Sequence, residues 1–524
     1  MSASAWVRES IGTYLGNATA VRDYRVQLRG NRAVILWAVY LAVLIGFGML
    51  TYSSAASRSM MSVVEAQASL KDFYSEVLNL LSAAIALVAP ALTATAIVAE
   101  RQRKSLDLVF SAPVTPKYYL IGKMISSYRY VWMLLVLSLP VTAACVVLGG
   151  AVWSEVLTSY ALISLQGLIY TSLALFFSTL AQKPVGAIVW SYISVFIYVW
   201  FISGIGMGLA EARHFSFSSG AVGEMPFVVC LSAFQITDVA STYTVIAGYH
   251  VPNWILTALF ALLFVRLMLL AGSSALSPYG SWETKSLRLH SLAYAFLLSI
   301  GLASLIGPLL TSPGSMSSGS PIRVDQFAGS GLIWLLTSLI LVLPFITCYG
   351  VDLERKYWPD GVFDIRRMLM ATPSGGLPFL LALVLAVAAG LVVDSIWTPS
   401  LIGAATPAYL YFGLAFVFAA WSVGRLASAF NNGLRYARTL HFAILVLVLF
   451  LPLPLLAIAD PFGMSSSGSS VWDLYVLRPA LMSNDGTGQA WLTGTVLLVV
   501  GAALVYWERS MAKKKNWGIE PSYG

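Results

Sequence analysis

The chain has 524 residues, of which 58% are hydrophobic and only 10% are charged. Because soluble domains carry about 25% charged residues, this composition excludes an ordinary water-soluble globular protein and indicates an all-α polytopic membrane protein. The net charge of +8 would suit nucleic acid, but in a membrane protein the positions of the cations matter more than their sum, so we predict no nucleic acid partner. Three cysteines are an odd number, which argues against a disulfide framework or a metal site.

Apolar runs of spanning length predict about twelve transmembrane helices. They lie near 33–52, 78–98, 128–150, 157–181, 185–209 and 253–273 in a first set, and near 291–311, 330–349, 376–394, 405–428, 439–459 and 490–507 in a second. The first run follows a charged stretch, so we interpret it as a retained span and not as a signal peptide. For 225–250, a loop and a re-entrant segment both fit the sequence.

The distribution of Lys and Arg predicts the orientation of the chain. If the N-terminus is inside, most of the 31 Lys and Arg fall in inside segments, and the outside segments hold only Arg58, Lys71, Arg213, Arg323 and Arg478. Positively charged loops stay cytoplasmic. We therefore predict a multi-pass protein of the plasma (inner) membrane with both termini in the cytoplasm.

The stretch before the first span, 17–32, has the pattern of a helix that lies in the lipid headgroup layer. Its arginines share one helical stripe beside an apolar one, and they are Arg22, Arg25, Arg29 and Arg32. The alternative interpretation is a plain positively charged anchor for the first span.

The two sets of spans indicate an internal repeat. An N-terminal half, 1–276, is joined by a cytoplasmic linker, 277–290, to a C-terminal half, 291–510, and a basic cytoplasmic tail, 511–524, follows. Since each half has an even number of predicted spans, the two six-helix repeats would be parallel and related by an axis along the membrane normal.

The repeat is clearest in the long inside loops that follow the second span of each half, 100–123 and 350–376. Each loop begins with a Glu-Arg pair and contains a later Thr-Pro; the pairs are Glu100-Arg101 and Glu354-Arg355. Prolines at equivalent positions, Pro90 and Pro344, precede these pairs in the spans. Duplication explains this agreement better than chance does.

The loop 100–123 is predicted to hold a short amphipathic helix below the membrane. Leu106, Val109 and Phe110 recur at helical spacing, and Pro113 ends the pattern. A short helix that is joined rigidly to two spans suits docking into a groove of a soluble partner. The alternative is a solvated charged loop that only sets the topology.

These residues resemble the signature of type-2 ATP-binding-cassette (ABC) exporter permeases. In that signature an exit Glu-Arg is followed by a Gly-Thr-Leu-Glu turn, a leucine-rich helix, Ser-Pro or Thr-Pro, and Gly-Lys. The residues at these places are Glu100, Arg101, Ser105, Leu106, Asp107, Ser111, Pro113, Gly122 and Lys123, while Lys104 replaces the usual Gly and Asp107 the usual Glu. The start of the chain also resembles the connecting helix of such permeases. The resemblance covers about 1–273 and is weak beyond.

The resemblance implies that the loop is a coupling helix, which carries motion between an ATPase and the spans. Glu100 and Arg101 would anchor it, Leu106, Val109 and Phe110 would form its apolar face, and Lys123 would begin the return into the third span. One chain would then supply both membrane halves of an exporter, with two separately encoded ABC ATPase subunits docked beneath it. In the divergent second half, Glu354 and Arg355 would hold the corresponding place.

The chain lacks the residues for ATP hydrolysis. It has no Gly-x4-Gly-Lys-Ser/Thr and no Leu-Ser-Gly-Gly-Gln stretch, so we predict that it is no enzyme, and that ATP and Mg²⁺ bind to the partner while this chain holds no cofactor. Gln166, the best-placed polar residue in a span, is predicted to make a helix–helix hydrogen bond rather than to contact substrate.

The predicted function is export of a hydrophobic or amphipathic substrate by an ABC permease. A secondary carrier with twelve spans is one alternative, but carriers usually need an intramembrane carboxylate, and the spans are almost free of ionisable groups. A membrane-embedded glycosyltransferase is the other. It would use outside carboxylates such as Asp72 and Glu76, whose spacing a solvated helix face explains equally well.

Overall fold

The structure is a computed structural model of the chain. It describes residues 17, 20–21, 23, 31–58, 63–111, 115–148, 151–196, 198–199, 243–246, 249–277, 282–311, 343, 346–348, 363–370, 373–395, 406–430, 434–450 and 486–514. The chain divides into two compact units, Met1–Pro278 and Tyr279–Gly524. Both are built mainly of helices, as the composition predicts.

The first unit contains a set of long apolar helices and two short ones. They are α1 (Asn31–Arg58), α2 (Val63–Thr93), α3 (Val98–Gln102), α4 (Ser105–Ser111), α5 (Pro116–Val147), α6 (Trp153–Leu180), α7 (Pro184–Phe196) and α8 (Asn253–Leu276). Helices α2, α5 and α8 all pack against α6. Since 72% of the most apolar stretch of α6 is buried, α6 is the central helix of this unit.

A short antiparallel hairpin precedes α8. Strand β1 (Tyr243–Ile246) pairs with β2 (Tyr249–Pro252), with Ile246 opposite Tyr249. β-Branched and aromatic residues favour strands, and both strands are rich in them. The end of the stretch that fitted either a loop or a re-entrant segment is therefore a hairpin, while 225–242 lies outside the described residues.

The second unit contains α9 (Trp282–Thr311), a 3-10 helix (Ile365–Arg367), α10 (Pro373–Ser395), α11 (Thr406–Phe430), α12 (Leu434–Phe450) and α13 (Gly486–Lys514). Helix α9 begins within the stretch 277–290 that the sequence indicated as a linker. Helix α11 packs against α10, α12 and α13, and its aromatic residues, among them Trp421, form the centre of the core. Glycine permits the close α11–α13 approach, because a Cβ at Gly501 would lie 2.8 Å from the ring of Phe418.

Six helical segments among the described residues are long and apolar enough to cross a membrane. They are Ser69–Gln102, Pro116–Val147, Trp153–Leu180, Asn253–Leu276, Pro407–Phe430 and Gly488–Met511. Every predicted span except 330–349 coincides wholly or in part with a helix, and 330–349 lies almost entirely outside the described residues. The protein is an all-α polytopic membrane protein, and the full count of about twelve spans stays a prediction.

Candidate functional site

The loop between the second and third spans of the first unit begins with a break in the helix. Helix α2 contains Pro90 and ends at Thr93, whose hydroxyl donates to the carbonyl of Ala89 at 2.8 Å. A turn follows, and the backbone N–H of Ile97 donates to Oγ of Ser178 in α6 at 3.1 Å. Because the helix ends at Thr93, the N–H of Ile97 has no helical acceptor, and the neighbouring helix α6 supplies one.

Arg101 joins this loop to the end of α6. Its Nη1 donates to the carbonyl of Ala181 at 2.5 Å, and its Nη2 donates to the carbonyl of Thr179 at 2.7 Å. The last carbonyls of a helix have no partner within the helix and carry partial negative charge, so a guanidinium there is doubly favourable. Arg101 thus holds the loop to the fourth span as well as to its own.

Glu100 lies in a buried network of charges with the third span. Nζ of Lys123 donates to Oε1 of Glu100 and to Oδ2 of Asp23, each at 2.5 Å. The hydroxyl of Tyr119 donates to Oε2 of Glu100, also at 2.5 Å. The side chains of Lys123, Glu100 and Asp23 are 6%, 13% and 18% exposed, so these charges are stable only as a network.

The same network reaches the segment before the first span. Asn17 donates from Nδ2 to the carbonyl of Tyr118 at 3.1 Å, and Asp23 accepts from Lys123. The sequence offered one signal for these partners: Asp23 is the only acidic residue in the arginine-rich stretch. Of the predicted interfacial residues, Arg22, Arg25 and Arg29 lie outside the described residues, and Arg32 lies in α1 with its side chain not described.

Helices α3 and α4 are joined by a tight turn at Lys104. Its φ is 55°, in the left-handed region that favours glycine. The exporter permeases whose signature this loop resembles carry Gly at this position. The chain has the left-handed turn here although its residue is Lys. Ser105 then donates from Oγ to the carbonyl of Glu100 at 3.1 Å and closes the turn.

The predicted apolar docking face of α4 needs a correction. Leu106 is 7% exposed and packs with Ile97, Tyr119, Leu120 and Leu175 in a core cluster of the unit itself. Helical spacing shows that apolar residues share a face but not which way that face points, and here Leu106 points toward the apolar surface of α5 and α6. Leu106 therefore holds α4 against its own unit.

The other residues of the predicted face are described only in part. Val109 is half-buried and packs against the same cluster. The side chains of Asp107 and Phe110 are not described, and Pro113 lies outside the described residues. Three side chains at the α3–α4 turn, Gln102, Arg103 and Lys104, are exposed, so the surface that this turn presents is polar and basic.

Farther along the spans, α2 and α6 are joined to each other by hydrogen bonds. Ser82 donates to Oε1 of Gln166 at 2.7 Å, and Tyr74 donates to Oγ of Ser159 at 3.3 Å. The predicted helix–helix hydrogen bond of Gln166 is confirmed. Such bonds join spans where no water competes, so α2, α6 and the loop between them form one connected body.

In the second unit, the structure describes only the end of the corresponding loop, 363–370. Glu354 and Arg355 lie outside the described residues. Arg288 of α9 is buried and donates from Nη1 to the carbonyls of Met368 at 2.7 Å and Gly375 at 3.2 Å, so it holds this segment to the start of α10. Among the described residues, no three His, Cys, Asp or Glu side chains are grouped as metal ligands.

The first unit is thus a bundle of long apolar helices with a helical loop fastened to one end. The family model described as ABC-2 family transporter protein matches residues 23–271. This match covers just under half of the chain and supports an ABC-2 type permease in a multi-pass membrane chain. No curated protein matches the chain.

Proposed function

We propose that this protein is the membrane-spanning permease subunit of an ABC exporter that uses ATP hydrolysed by separate subunits. The observation that carries the proposal is the attachment of the 98–111 segment, α3 and α4, to α5, α6 and the segment before α1. A loop fixed on all these sides transmits force, whereas a loop that only sets the topology needs no such buried network.

Motion would pass from the ATPase to the spans through two joints. Arg101, with its hydrogen bonds to the last carbonyls of α6, carries displacement of the loop to the fourth span. Glu100 carries it to the third span through Lys123 and Tyr119. Because the Ser82–Gln166 and Tyr74–Ser159 bonds link α2 to α6, these two spans would move together when the ATPases close.

The partners and orientation of the proposal follow from the sequence. Two ABC ATPase subunits would bind on the cytoplasmic side, where both termini lie, and they would hold ATP and Mg²⁺, since this chain lacks a phosphate-binding loop. The apolar spans favour a hydrophobic or amphipathic substrate. The family match supports the permease part of this proposal.

Purification from the native host tests the proposal. The tagged chain is isolated in mild detergent, its partners are identified by mass spectrometry, and ATP turnover is measured. We expect an ABC ATPase to co-purify and the complex to hydrolyse ATP. Replacing Arg101 by Gln should leave membrane insertion intact. It should lower the amount of substrate that is transported per ATP hydrolysed. A chain that purifies alone, under conditions that preserve other ABC complexes, would refute the proposal.

A further inference from the structure

Helix α13 packs against α11 along a narrow seam and leaves most of its surface exposed. Gly494, Gly501 and Glu508 are buried and lie seven residues apart, so they share the face that meets α11. A Cβ at Gly494 would lie 2.7 Å from the ring of Tyr411, so the two helices are in close contact there. Only 17% of the most apolar stretch of α13 is buried, against 67% for α11. The wide side of α13 therefore faces the surroundings of the unit.

The exposed side of α13 is apolar along the middle of the helix. Leu492, Val496 and Val499 are 68%, 51% and 65% exposed, and Val500 is exposed beside them. A soluble protein seldom exposes an apolar row of this length, whereas in a multi-pass membrane protein the acyl chains of lipids cover such a row. This side of α13 thus has the surface of a lipid-facing helix.

An aromatic pair lies at each end of the apolar row. The rings of Tyr411 and Trp491 are 4.6 Å apart, and those of Phe430 and Trp507 are 5.7 Å apart. At 1.5 Å per residue, Trp491 and Trp507 are separated by about 24 Å along α13, and the hydrocarbon core of a bilayer is about 30 Å thick. Tryptophan and tyrosine favour the two membrane surfaces. The pairs therefore have the spacing expected of side chains at opposite surfaces, with Trp507 at the end that we predict to be cytoplasmic.

The last turns of α13 carry positive charge on their exposed side. Tyr506 is 77% exposed, and Arg509, three residues later and therefore on the same stripe of the helix, is also exposed. The acidic residue of this stretch, Glu508, does not share the stripe, because it is buried and paired with Arg425 of α11 at 2.8 Å. The sequence continues with three lysines at 513–515. The exposed end of α13 thus combines aromatic rings with uncompensated cations.

We propose that this end of α13 is a binding site for an anionic phospholipid of the cytoplasmic leaflet. Arg509 binds the phosphate of the headgroup, and the lysines at 513–515 add to the positive field. Tyr506 and Trp507 lie at the level of the glycerol, and the acyl chains cover the apolar row. Because cations near a membrane surface attract anionic lipids, the site takes phosphatidylglycerol in preference to zwitterionic phosphatidylcholine.

A second copy of the chain is the rival occupant of this face, because apolar helix faces also pair with each other in membranes. Lipid is favoured by the charges. Two copies in one membrane have the same orientation, so pairing through this side of α13 would bring the two Arg509 side chains and the lysines at 513–515 together, and like charges repel. An anionic headgroup neutralises the same cations.

Native mass spectrometry of the full chain tests the inference. The protein is purified in mild detergent, stripped of lipid, and titrated with phosphatidylglycerol or with phosphatidylcholine of the same acyl chains. We expect phosphatidylglycerol to bind more tightly, and Arg509→Gln to weaken its binding about fivefold, since one Lys or Arg near a lipid surface contributes about 1 kcal/mol. Binding of phosphatidylcholine should be unchanged, which shows that the variant is folded. Arg509→Lys should keep the preference, because it keeps the charge.

Arg366→Gln is the matched control. Arg366 is also an exposed arginine of the second unit in a predicted inside loop, so its replacement removes the same charge from a different segment, 363–370. It should leave the binding of phosphatidylglycerol at the wild-type level. Wild-type affinity in Arg509→Gln would overturn the inference, and so would an equal loss in Arg366→Gln, since the lipid would then respond only to total charge. A wild-type dimer that carries no bound lipid would assign the face to a second copy.

Discussion

The two units place buried charges at different points of the ends that we predict to be cytoplasmic. In the first unit, Lys123 and Arg101 connect the loop to the spans, and Leu106 and Val109 of α4 pack inward. In the second unit, the buried pair Arg425–Glu508 connects two spans to each other, and the loop segment 363–370 leaves its apolar residues exposed. The comparison indicates that one loop position has two structures: a helical loop fixed to its own spans, and a turn with exposed apolar side chains.

The largest effect is expected from breaking the ion pair of the second unit. Nη2 of Arg425 and Oε1 of Glu508 are 2.8 Å apart, and both side chains are 1% exposed. Glu508→Ala leaves a buried guanidinium without its carboxylate, which should cost about 3–5 kcal/mol. Thermal unfolding in detergent measures this loss.

The paired replacement Arg425→Met with Glu508→Leu is the control for this experiment. Because apolar replacement of a whole buried pair is often neutral, the double variant should recover most of the lost stability. If Glu508→Ala unfolds at the wild-type temperature, then the pair does not hold α11 to α13.

A somewhat smaller effect is expected from Lys123→Met in the first unit. It leaves Asp23 and Glu100 next to each other without a cation, and since both carboxylates keep some exposure, the cost should be about 3 kcal/mol. Hydrogen exchange should rise in 98–111 before it rises elsewhere. Lys117→Met, at an exposed neighbouring position, should change stability by less than about 0.5 kcal/mol.

The comparison between the loops is tested directly by Leu106→Ala and Phe363→Ala. Truncating the buried Leu106 should destabilise the isolated chain by about 2–3 kcal/mol through the cavity it leaves. Truncating the exposed Phe363 should leave the melting temperature of the isolated chain unchanged. Equal shifts for both would show that the two side chains are packed alike.

Gln166→Leu is expected to have a smaller effect. It removes the acceptor for Ser82 between α2 and α6, and interhelical hydrogen bonds of this kind contribute about 1 kcal/mol. Ser82→Ala should lower the melting temperature by a similar amount, and the double variant should cost no more than the larger single change. Additive losses would mean that the two side chains do not act as a pair.

The smallest effect concerns the backbone at Lys104. Since its φ of 55° costs an ordinary side chain about 1 kcal/mol, and glycine loses more entropy on folding, Lys104→Gly should raise stability by a fraction of a kcal/mol. Lys104→Val, a β-branched residue, should lower it. A melting curve of each variant, compared with the wild type, decides the sign.

The sequence predicts the apolar helices, the short helix after the second span and the positions of Glu100 and Arg101, because these depend on local periodicity and on charges at span ends. It does not predict the partners of those charges. Arg101 binds carbonyls about 80 residues away in the chain, and backbone carbonyls leave no trace in side-chain patterns. Leu106 was predicted to lie on a docking face, but it packs against α5. The prediction was wrong because helical spacing does not show which way an apolar face points.

The most direct test of the central claim, that the α3–α4 turn is where an ATPase docks, is a photo-cross-link in native membranes. A photoreactive phenylalanine analogue at the exposed position Arg103 should form an adduct with an ABC ATPase, and the same analogue at the exposed position Lys71, predicted to lie outside, should not. An adduct at Arg103 alone would support the account. The account would be contradicted if Arg103 formed no ATPase adduct while the ATPase co-purified, or if both positions labelled the same protein.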